Sequence, residues 1–239
     1  MFKQWAPQLR EWSSEKVGLK LSDKQVQQFC LYGDLLIDWN KTMNLTNIVE
    51  PSEVILKHFV DSLTLIKYLR GTKLVDIGTG AGFPGIPLKI VQTDLHVVLV
   101  DSLNKRLDFL KEVILRLNIS GVDIIHARAE DLGRNPKYRA GFDIVTSRAV
   151  AKLPVLLEYA IPLLKLNGTF IAMKGSQVDE ELIAAQGALI KLGAGIEAVE
   201  KFSLGPEAEN RSIVIVQKLA ETPKEYPRKP GIPSKSPLA

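Results

Sequence analysis

The chain has 239 residues, of which 46% are hydrophobic and 24% are charged. These values fit a globular protein with a sizeable core, built as one large domain or as one domain with an appendage. The formal net charge is +4 at pH 7, a mild excess that permits an acidic partner such as nucleic acid but does not require one.

Several features of the sequence predict a cytoplasmic protein without a membrane segment. The single Cys30 excludes an internal disulfide, as is usual in a reducing compartment. Charged residues interrupt the N-terminus where a signal peptide needs its apolar core, and no apolar run approaches the length of a membrane span. We therefore expect a cytoplasmic location, with a monomer as the default state.

Residues 1–70 are predicted to form a helical extension. Ser22 is a suitable N-cap for a helix to about Asn40, and Ser52 for a second helix to about Arg70. The second helix has one apolar face, and its opposite face carries three polar side chains: His58, Asp61 and Ser62. This polar face is either solvated surface or the lining of a site.

The stretch KLVDIGTGAGFPG, residues 73–85, predicts a strand, a glycine turn and the start of a helix. Pro84 and Pro87 suit a first helical turn, and the helix is expected to run to about Val91. Glycines let the backbone approach a bound group closely, and a helix N-terminus offers free N–H donors. The turn is therefore the first candidate for a ligand site.

Two ligands would explain this turn. Gly80-x-Gly82-x-x-Gly85 matches the dinucleotide fingerprint, and Asp101 ends the next predicted strand, where a ribose-binding acid belongs. Asp76 and the glycines after it resemble instead the first motif of class I S-adenosylmethionine-dependent methyltransferases, in which they surround the methionine part of the cofactor. A buried carboxylate needs a partner, suits a cationic cofactor and repels a pyrophosphate. Asp76 could also simply hydrogen-bond the turn.

From residue 71 to residue 219, strands and helices alternate, which predicts a parallel sheet with helices on both faces. The last two strands are joined by a loop alone and should form an antiparallel pair at one edge. The expected fold is α/β, and this architecture resembles the seven-stranded Rossmann-like fold of class I S-adenosylmethionine-dependent methyltransferases. Further strands are predicted at 96–101, 122–128, 142–148, 168–174, 196–202 and 212–218, and further helices at 104–118, 152–164 and 178–192.

Residues 220–239 form a basic, proline-rich tail that cannot continue the sheet. It is either an ordered strap or a flexible arm. The N-terminal extension, the core from residue 71 to 219 and this tail are expected to make one structural domain overall.

Nearly the whole chain resembles the RsmG (GidB) family of bacterial 16S ribosomal RNA methyltransferases. The glycine motif alone is shared by many families, whereas its extension and the flanking motifs are much more specific. The matching stretches are Trp39-Asn40, Asn44-Leu45-Thr46, His58-x-x-Asp61-Ser62-Leu63, the uninterrupted DIGTGAGFPGIPL of residues 76–88, Ser147-Arg148-Ala149-Val150, Lys174-Gly175 and Tyr226-Pro227-Arg228. The resemblance implies transfer of a methyl group from S-adenosylmethionine to N7 of a guanine in 16S ribosomal RNA of the small subunit.

The resemblance and the strand ends together give the expected cofactor site. Asp101, with Ser102 beside it, is expected to accept the ribose hydroxyls, and Ala129-Glu130 to contact the adenine ring. Arg148 ends the fourth strand, where it is expected to bind the cofactor or RNA. The methionine part is expected to lie over Gly78, Gly80 and Gly82, near Asp76, with Phe83 as a wall of the pocket.

We expect no catalytic dyad and no metal. Guanine N7 has a lone pair and no proton, so that its methylation needs positioning and not a general base. Besides Arg148, the candidates for RNA contact are Lys174, at the end of the fifth strand, and His58 and Asp61. Weaker candidates are the other scattered cations: Lys105, Arg106, Arg134, Lys137, Arg139, Lys152 and those of the tail.

Two other functions compete with this interpretation. One is a nicotinamide-dependent dehydrogenase, against which stand Asp76, the lack of a separate substrate domain and the lack of a Tyr-x-x-x-Lys pair. The other is a non-catalytic RNA-binding or ribosome-assembly module that kept the fold. The intact glycine turn, Asp101 and Glu130 speak against loss of a cofactor site.

Overall fold

In a computed structural model, which describes residues 1–205 and 210–238, one seven-stranded sheet forms the centre of the protein. Its strands are β1 (Lys73–Ile77), β2 (His96–Asp101), β3 (Val122–His126), β4 (Phe142–Arg148), β5 (Leu164–Lys174), β6 (Ala194–Phe202) and β7 (Arg211–Lys218). The spatial order is β3-β2-β1-β4-β5-β7-β6. The first five strands pair in parallel, and β7 lies antiparallel between β5 and β6, as expected.

The helices cover both faces of the sheet. One of them, α3, is α-helical over Pro51–Val54 and Asp61–Leu63 and π-helical over Ile55–Val60 between them. The others are α1 (Ala6–Val17), α2 (Asp23–Met43), α4 (Gly85–Val91), α5 (Asn104–Leu117), α6 (Ala129–Arg134), α7 (Leu153–Ala160), α8 (Val178–Ala184), α9 (Gln186–Leu192) and α10 (Ile232–Lys235). Short 3-10 turns occur at Phe2–Trp5, Ile66–Tyr68 and Ile161–Leu163. No helix of the described part of the chain is long and apolar enough to cross a bilayer.

Of the two helices predicted in the extension, the Ser22 cap of the first is confirmed, whereas the predicted start of the second is wrong. Ser22 caps α2 in a capping box with Gln25, although the helix continues to Met43. Ser52 is not a cap, because α3 already begins at Pro51, where proline occupies the first turn. The polar face of α3 is buried and is therefore not solvated surface.

Several other boundaries differ from the sequence prediction. The helix expected over 152–164 ends at Ala160, and Pro162, which has no N–H to continue a helix, lies in the 3-10 turn that follows. Strand β5 begins at Leu164, which pairs with Phe142 beyond a bulge. The helix expected over 178–192 is divided into α8 and α9 at Ala185.

Two apolar clusters sandwich the sheet. Leu74 belongs to the first cluster, whereas Val75 and Ile77 belong to the second, as alternation along a strand requires. The first cluster joins α2, α3 and α5 through Phe29, Phe59 and Phe109. The N-terminal extension thus packs directly on one face of the sheet, beside the glycine turn. The division of the chain into this extension, the core and the tail stays a prediction.

The tail is an ordered strap over its described residues. Arg139 donates to the carbonyl oxygens of Tyr226 (2.6 Å) and Thr222 (2.8 Å), and Arg134 donates to that of Pro227 (3.0 Å). Both arginines are weaker candidates for RNA contact, and in the structure their guanidinium groups bind tail backbone, which fixes the strap across α6 and α7.

Candidate functional site

The turn after β1 is held from beneath by Asp76. Asp76 Oδ2 accepts hydrogen bonds from Thr79 Oγ1 (2.7 Å) and from the Gly85 N–H (3.0 Å). The carboxyl group has no exposed surface, and burial raises its pKa to about 7. This is the plain turn-supporting role that the sequence left open for Asp76, and the side chain does not line the adjoining cavity.

The start of α4 offers fewer donors than the sequence predicted. The Gly85 N–H is bound by Asp76, the Ile86 N–H donates to the Gly82 carbonyl oxygen (2.8 Å), and Pro87 has no N–H. The expectation of free N–H groups at these positions was wrong. A pyrophosphate, which needs such donors, does not fit this helix start.

A cavity of about 370 Å³ opens at the carboxyl ends of β1 and β2. Five of the residues expected to bind the cofactor line it: Gly78, Asp101, Ser102, Ala129 and Glu130. We call it the first cavity. Gly80, Gly82, Phe83 and Arg148 lie outside its lining. Sequence reasoning missed Tyr159 on α7, and Gly231 and Ser234 of the tail.

Asp101 is held rigidly at the end of β2. Its Oδ1 accepts from the Leu103 N–H (2.9 Å), and its Oδ2 accepts from the Gly80 N–H (2.9 Å) and lies 3.2 Å from Arg106 Nη1. The side chain is almost fully buried, yet it lines the cavity. A carboxylate oriented in this way can accept hydroxyl hydrogen bonds without reorganisation. Arg106, one of the weaker RNA candidates, is engaged by this carboxylate.

Glu130 is in contact with the tail. It lies in the first turn of α6 and is buried, and its Oε1 accepts the Gly231 N–H (3.0 Å). Tyr159 lies with Glu130 and Ser234 in the cavity lining, and burial together with the neighbouring Glu130 charge raises the pKa of Tyr159 to about 12. The phenol is therefore neutral and can donate to the carboxylate.

A second cavity, of about 530 Å³, lies beside the first. Its polar wall comes from α3, from the ends of β4 and β5 and from the start of β7: Lys57, His58, Asp61, Arg148, Lys174 and Arg211. The four main candidates for RNA contact, Arg148, Lys174, His58 and Asp61, are among them. Sequence reasoning missed Lys57 and Arg211. Antiparallel pairing of the last strands was a signal for Arg211, because it brings the start of β7 to the end of β5.

His58 is a neutral ring in the wall of the second cavity. It stacks on Phe83 with ring centroids 4.6 Å apart, Nε2 lies 2.8 Å from Thr46 Oγ1, and Nδ1 lies 3.2 Å from Arg148 Nη2. Nδ1 also lies 3.1 Å from the Lys57 carbonyl oxygen, which needs a donor, whereas Arg148 needs an acceptor, so that the two contacts of Nδ1 support opposite tautomers. Burial and the Arg148 charge lower the pKa of His58 to about 3.

Asp61 stands between two arginines. Its Oδ2 lies 3.4 Å from Arg148 Nη1, and its Oδ1 lies 3.6 Å from Arg211 Nε. Burial raises the pKa of Asp61, and both arginines act in the opposite direction. Arg148 also donates to the Lys57 carbonyl oxygen (3.0 Å) and lies 4.8 Å above the ring of Phe83. Phe83 thus supports the second cavity from behind.

Lys174 is already paired. Its Nζ lies 2.7 Å from Glu181 Oε2 and donates to the Ala151 carbonyl oxygen (2.8 Å). The side chain is only 9% exposed, so that it contributes less positive charge to the cavity than a free lysine would. Contact between Lys174 and RNA stays a prediction.

The two cavities meet at Ala149, which lines both. Ala149 follows β4 with a φ of 55°, in the left-handed region that few residues with a side chain adopt. The next residue, Val150, packs against Gly78 and lines the first cavity. A group held in the first cavity can therefore face a group held in the second across this backbone.

No cluster of three or more His, Cys, Asp or Glu side chains within 1–205 and 210–238 is arranged to hold a metal ion.

Comparisons with known proteins show the family of this chain. The family model GidB, described as rRNA small subunit methyltransferase G, matches residues 25–214. The chain is 56% identical over 224 residues to the ribosomal RNA small subunit methyltransferase G of Desulfitobacterium hafniense (strain Y51), covering 94% of each chain. It is 48% identical over 230 residues to the protein of that name from Desulforamulus reducens, covering 95% of this chain and 96% of the other.

Solved structures share the fold at low identity. TYW2 of P. horikoshii, in complex with MeSAdo, superposes with a TM-score of 0.54 at 12% identity, covering 67% of this chain and 62% of that one. A SAM-dependent methyltransferase of Methanosarcina mazei gives a TM-score of 0.53 at 14% identity, covering 66% and 97%. The Rossmann-like methyltransferase fold expected from the sequence is confirmed.

Proposed function

The chain belongs to the GidB family of rRNA small subunit methyltransferase G proteins, and we propose that it transfers a methyl group from S-adenosylmethionine to N7 of a guanine in 16S ribosomal RNA. Membership makes it a methyltransferase of small-subunit ribosomal RNA, as expected from its motifs. The donor, the acceptor atom and the roles of single residues belong to the proposal.

The observation that carries the proposal is the junction of the two cavities at Ala149. The first cavity is assigned to the cofactor and the second to the target base. Arg148, Ala149 and Val150 form the boundary between them. Methyl transfer needs donor and acceptor in line and close together, and a boundary at which Ala149 lines both cavities permits this.

The first cavity fits S-adenosylmethionine better than a dinucleotide. Asp101 offers fixed carboxylate oxygens to ribose hydroxyls, Gly78 leaves room over the turn, and Ala129-Glu130 lie where the adenine ring is expected. The helix start lacks free donors for a pyrophosphate, which argues against the dehydrogenase alternative. When bound, the cofactor would supply an electrophilic methyl group on a sulfonium.

The second cavity suits a guanine that becomes a cation. N7 needs no base, so the residues of this cavity act by positioning the ring and by electrostatics. His58 stays neutral near pH 7 and adds no second positive charge beside the base. Asp61 supplies a buried negative charge close to Arg148 and Arg211. This balance would tolerate the positive charge that forms on the methylated ring.

RNA would approach over the mouth of the second cavity. Arg211 and Lys57 line this cavity, and Lys152 is exposed nearby on the loop after β4. Cations that neutralise phosphates make binding fall steeply with salt. Action as a monomer and a cytoplasmic location remain predictions from the sequence.

The test is a methylation assay with purified protein, radiolabelled S-adenosylmethionine and small subunits or 16S RNA that lack this modification. Label in 16S RNA, with strand scission at one guanine after borohydride reduction and aniline treatment, is the expected result, because those reagents act on 7-methylguanine. Label without scission would exclude N7. Calorimetric titration with S-adenosylhomocysteine and with NAD tests which cofactor the protein binds. Binding of NAD without S-adenosylhomocysteine would support the dehydrogenase. Binding of RNA with neither small ligand would support the non-catalytic module.

A further inference from the structure

The tail is anchored by an ion pair between a partly buried arginine and a fully buried glutamate. Arg228 binds Glu158 of α7 in a two-pronged arrangement, with Nη2 2.7 Å from Oε2 and Nε 2.9 Å from Oε1. The Arg228 backbone N–H donates to Glu158 Oε1 as well (2.7 Å). Glu158 has no exposed surface, so that without Arg228 it would be a buried carboxylate lacking its charge partner. The position of the segment after Arg228 therefore depends on this pair.

The anchored segment reaches the first cavity. Three residues after Arg228, the Gly231 N–H donates to Glu130 Oε1 (3.0 Å). Ser234 donates to the Gly231 carbonyl oxygen (3.1 Å) and lies with Tyr159 in the cavity lining. Gly231, Ser234, Glu130 and Tyr159 all line the cavity. The strap thus meets α6 and α7 at the end of the cavity where Ala129-Glu130 lie.

The strap lines this cavity without filling it. The volume of about 370 Å³ remains with the strap in place. A hydrogen bond from Gly231 holds one oxygen of Glu130 and restricts the rotation of its carboxylate. A ligand that contacts both Glu130 and the strap would find these groups already oriented, which lowers the entropic cost of binding.

We propose that the segment from Arg228 to Ser234 is part of the cofactor site, closing its adenosine end and orienting Glu130, with Arg228 as a positioning residue that acts through Glu158. This inference rests on the proposed function. Because binding and docking are linked, the cofactor must stabilise the docked strap as much as the strap improves cofactor binding. The cofactor should then slow the opening of the strap.

Two measurements test this. The first is hydrogen exchange of the unaltered protein, read on tail peptides with and without S-adenosylhomocysteine. The second is calorimetry with S-adenosylhomocysteine on Arg228→Ala, Arg228→Lys and the control Lys235→Ala. Lys235 is an exposed cation of the same tail that does not line the cavity. Thermal unfolding is recorded for every variant, and calorimetry is run well below the transition.

The ligand is expected to protect the tail amides. Arg228→Ala should weaken binding about tenfold, the effect of one lost charge-assisted contact. Arg228→Lys should recover part of the affinity, and Lys235→Ala should change it less than about twofold. Unchanged tail exchange would overturn the inference even if Arg228→Ala failed to fold. Equal or tighter binding by a folded Arg228→Ala would also overturn it. Failure of the unaltered protein to bind the ligand would instead overturn the proposed function.

Discussion

Gly78 faces Val150 so closely that a Cβ atom on Gly78 would lie 2.6 Å from Val150 Cγ2. Gly78 follows β1, Val150 follows β4, and both line the first cavity. Gly80, two residues further along the turn, has nothing within 4 Å of the corresponding position. The two glycines share a positive φ, of 66° and 60°, but differ in the space around them.

We predict that Gly78→Ala weakens S-adenosylhomocysteine binding about tenfold more than Gly80→Ala does, because only the first variant adds a clash to the backbone strain that both share. Calorimetry measures the two dissociation constants. The double variant Gly78→Ala with Val150→Ala should regain affinity, since it removes the clashing methyl group. Equal losses in the two single variants would show that φ alone, and not Val150, governs this turn.

We predict that His58 makes the protein less stable as the pH falls below its normal pKa. The pKa of His58 is about 3 in the folded protein and 6.5 in the unfolded chain. The unfolded chain therefore binds the extra proton first, and the stabilising contribution is complete above pH 6.5 and is lost as the pH falls towards 3. Urea unfolding between pH 5 and 8 should show a slope of up to about 1.4 kcal/mol per pH unit from this group.

His58→Gln is the matched variant, because the amide keeps a polar group of similar reach that does not titrate. Its free energy of unfolding should approach that of the unaltered protein as the pH is lowered from 7 to 5. A constant difference across this range would mean that His58 has the same pKa in the folded and unfolded states, which would contradict the prediction.

Asp76 should show the opposite pH dependence. Its pKa is about 7 in the folded protein against 3.8 in the unfolded chain. The folded protein thus binds the extra proton, and this contribution is present below pH 3.8 and is lost as the pH rises through 7. Asp76→Asn keeps the shape of the side chain but does not titrate. We predict that its free energy of unfolding rises relative to that of the unaltered protein as the pH rises from 5 to 8. Urea unfolding of both proteins measures it, and a difference that falls with pH would contradict the prediction.

Arg211 should contribute to RNA binding and not to cofactor binding. It lies in the wall of the second cavity, 3.6 Å from Asp61 and outside the lining of the first. We predict that Arg211→Ala weakens RNA binding and lowers the slope of log affinity against log salt by about one, whereas S-adenosylhomocysteine binding stays within about twofold. Filter binding over a salt series measures this.

Lys67→Ala is the control for Arg211. Lys67 is an exposed cation paired with Glu200 and does not line the second cavity. An equal effect of the two variants would indicate a general loss of positive charge and not a site at Arg211.

Arg139 should stabilise the tail. Its guanidinium donates to carbonyl oxygens of Gly133, Thr222, Pro223 and Tyr226. We predict that Arg139→Ala lowers the free energy of unfolding by about 2 kcal/mol, since it leaves partly buried carbonyls without donors. Trypsin should then cleave the tail sooner. Lys137→Ala, at an exposed neighbouring cation, should change neither the free energy of unfolding nor the rate of tail cleavage. A protease-resistant tail in Arg139→Ala would contradict the stabilising role of Arg139.

Much of the site could be predicted because its parts lie close together along the chain. Gly78 follows β1 directly and Asp101 ends β2, and adjacent parallel strands bring their carboxyl ends to one edge. The motif and the alternating strands were enough to place both residues at one cavity. Likewise, Ser22 and Gln25 are three residues apart, so that their capping box is visible in the sequence.

The contacts of charged side chains could not be predicted in the same way. Arg139 lies between two predicted strands and Lys174 ends another, and nothing near either residue in the sequence reveals a partner. In the folded protein Arg139 meets residues of the tail more than eighty positions away, and Lys174 meets Glu181 across a loop. A cation is bound to its partner or free for RNA according to tertiary neighbours alone.

The amino-acid sequence by itself determined the order of strands and helices, the glycine turn and the methyltransferase family, because these depend on local periodicity and on short contiguous motifs. Only the tertiary structure decided that Asp76 supports the turn from beneath and that Ala149 divides two cavities. It also decided that the tail completes the wall at Glu130. These are relations between surfaces that come together only when the sheet closes, so that burial and direction of each side chain, and not its identity, assign its role.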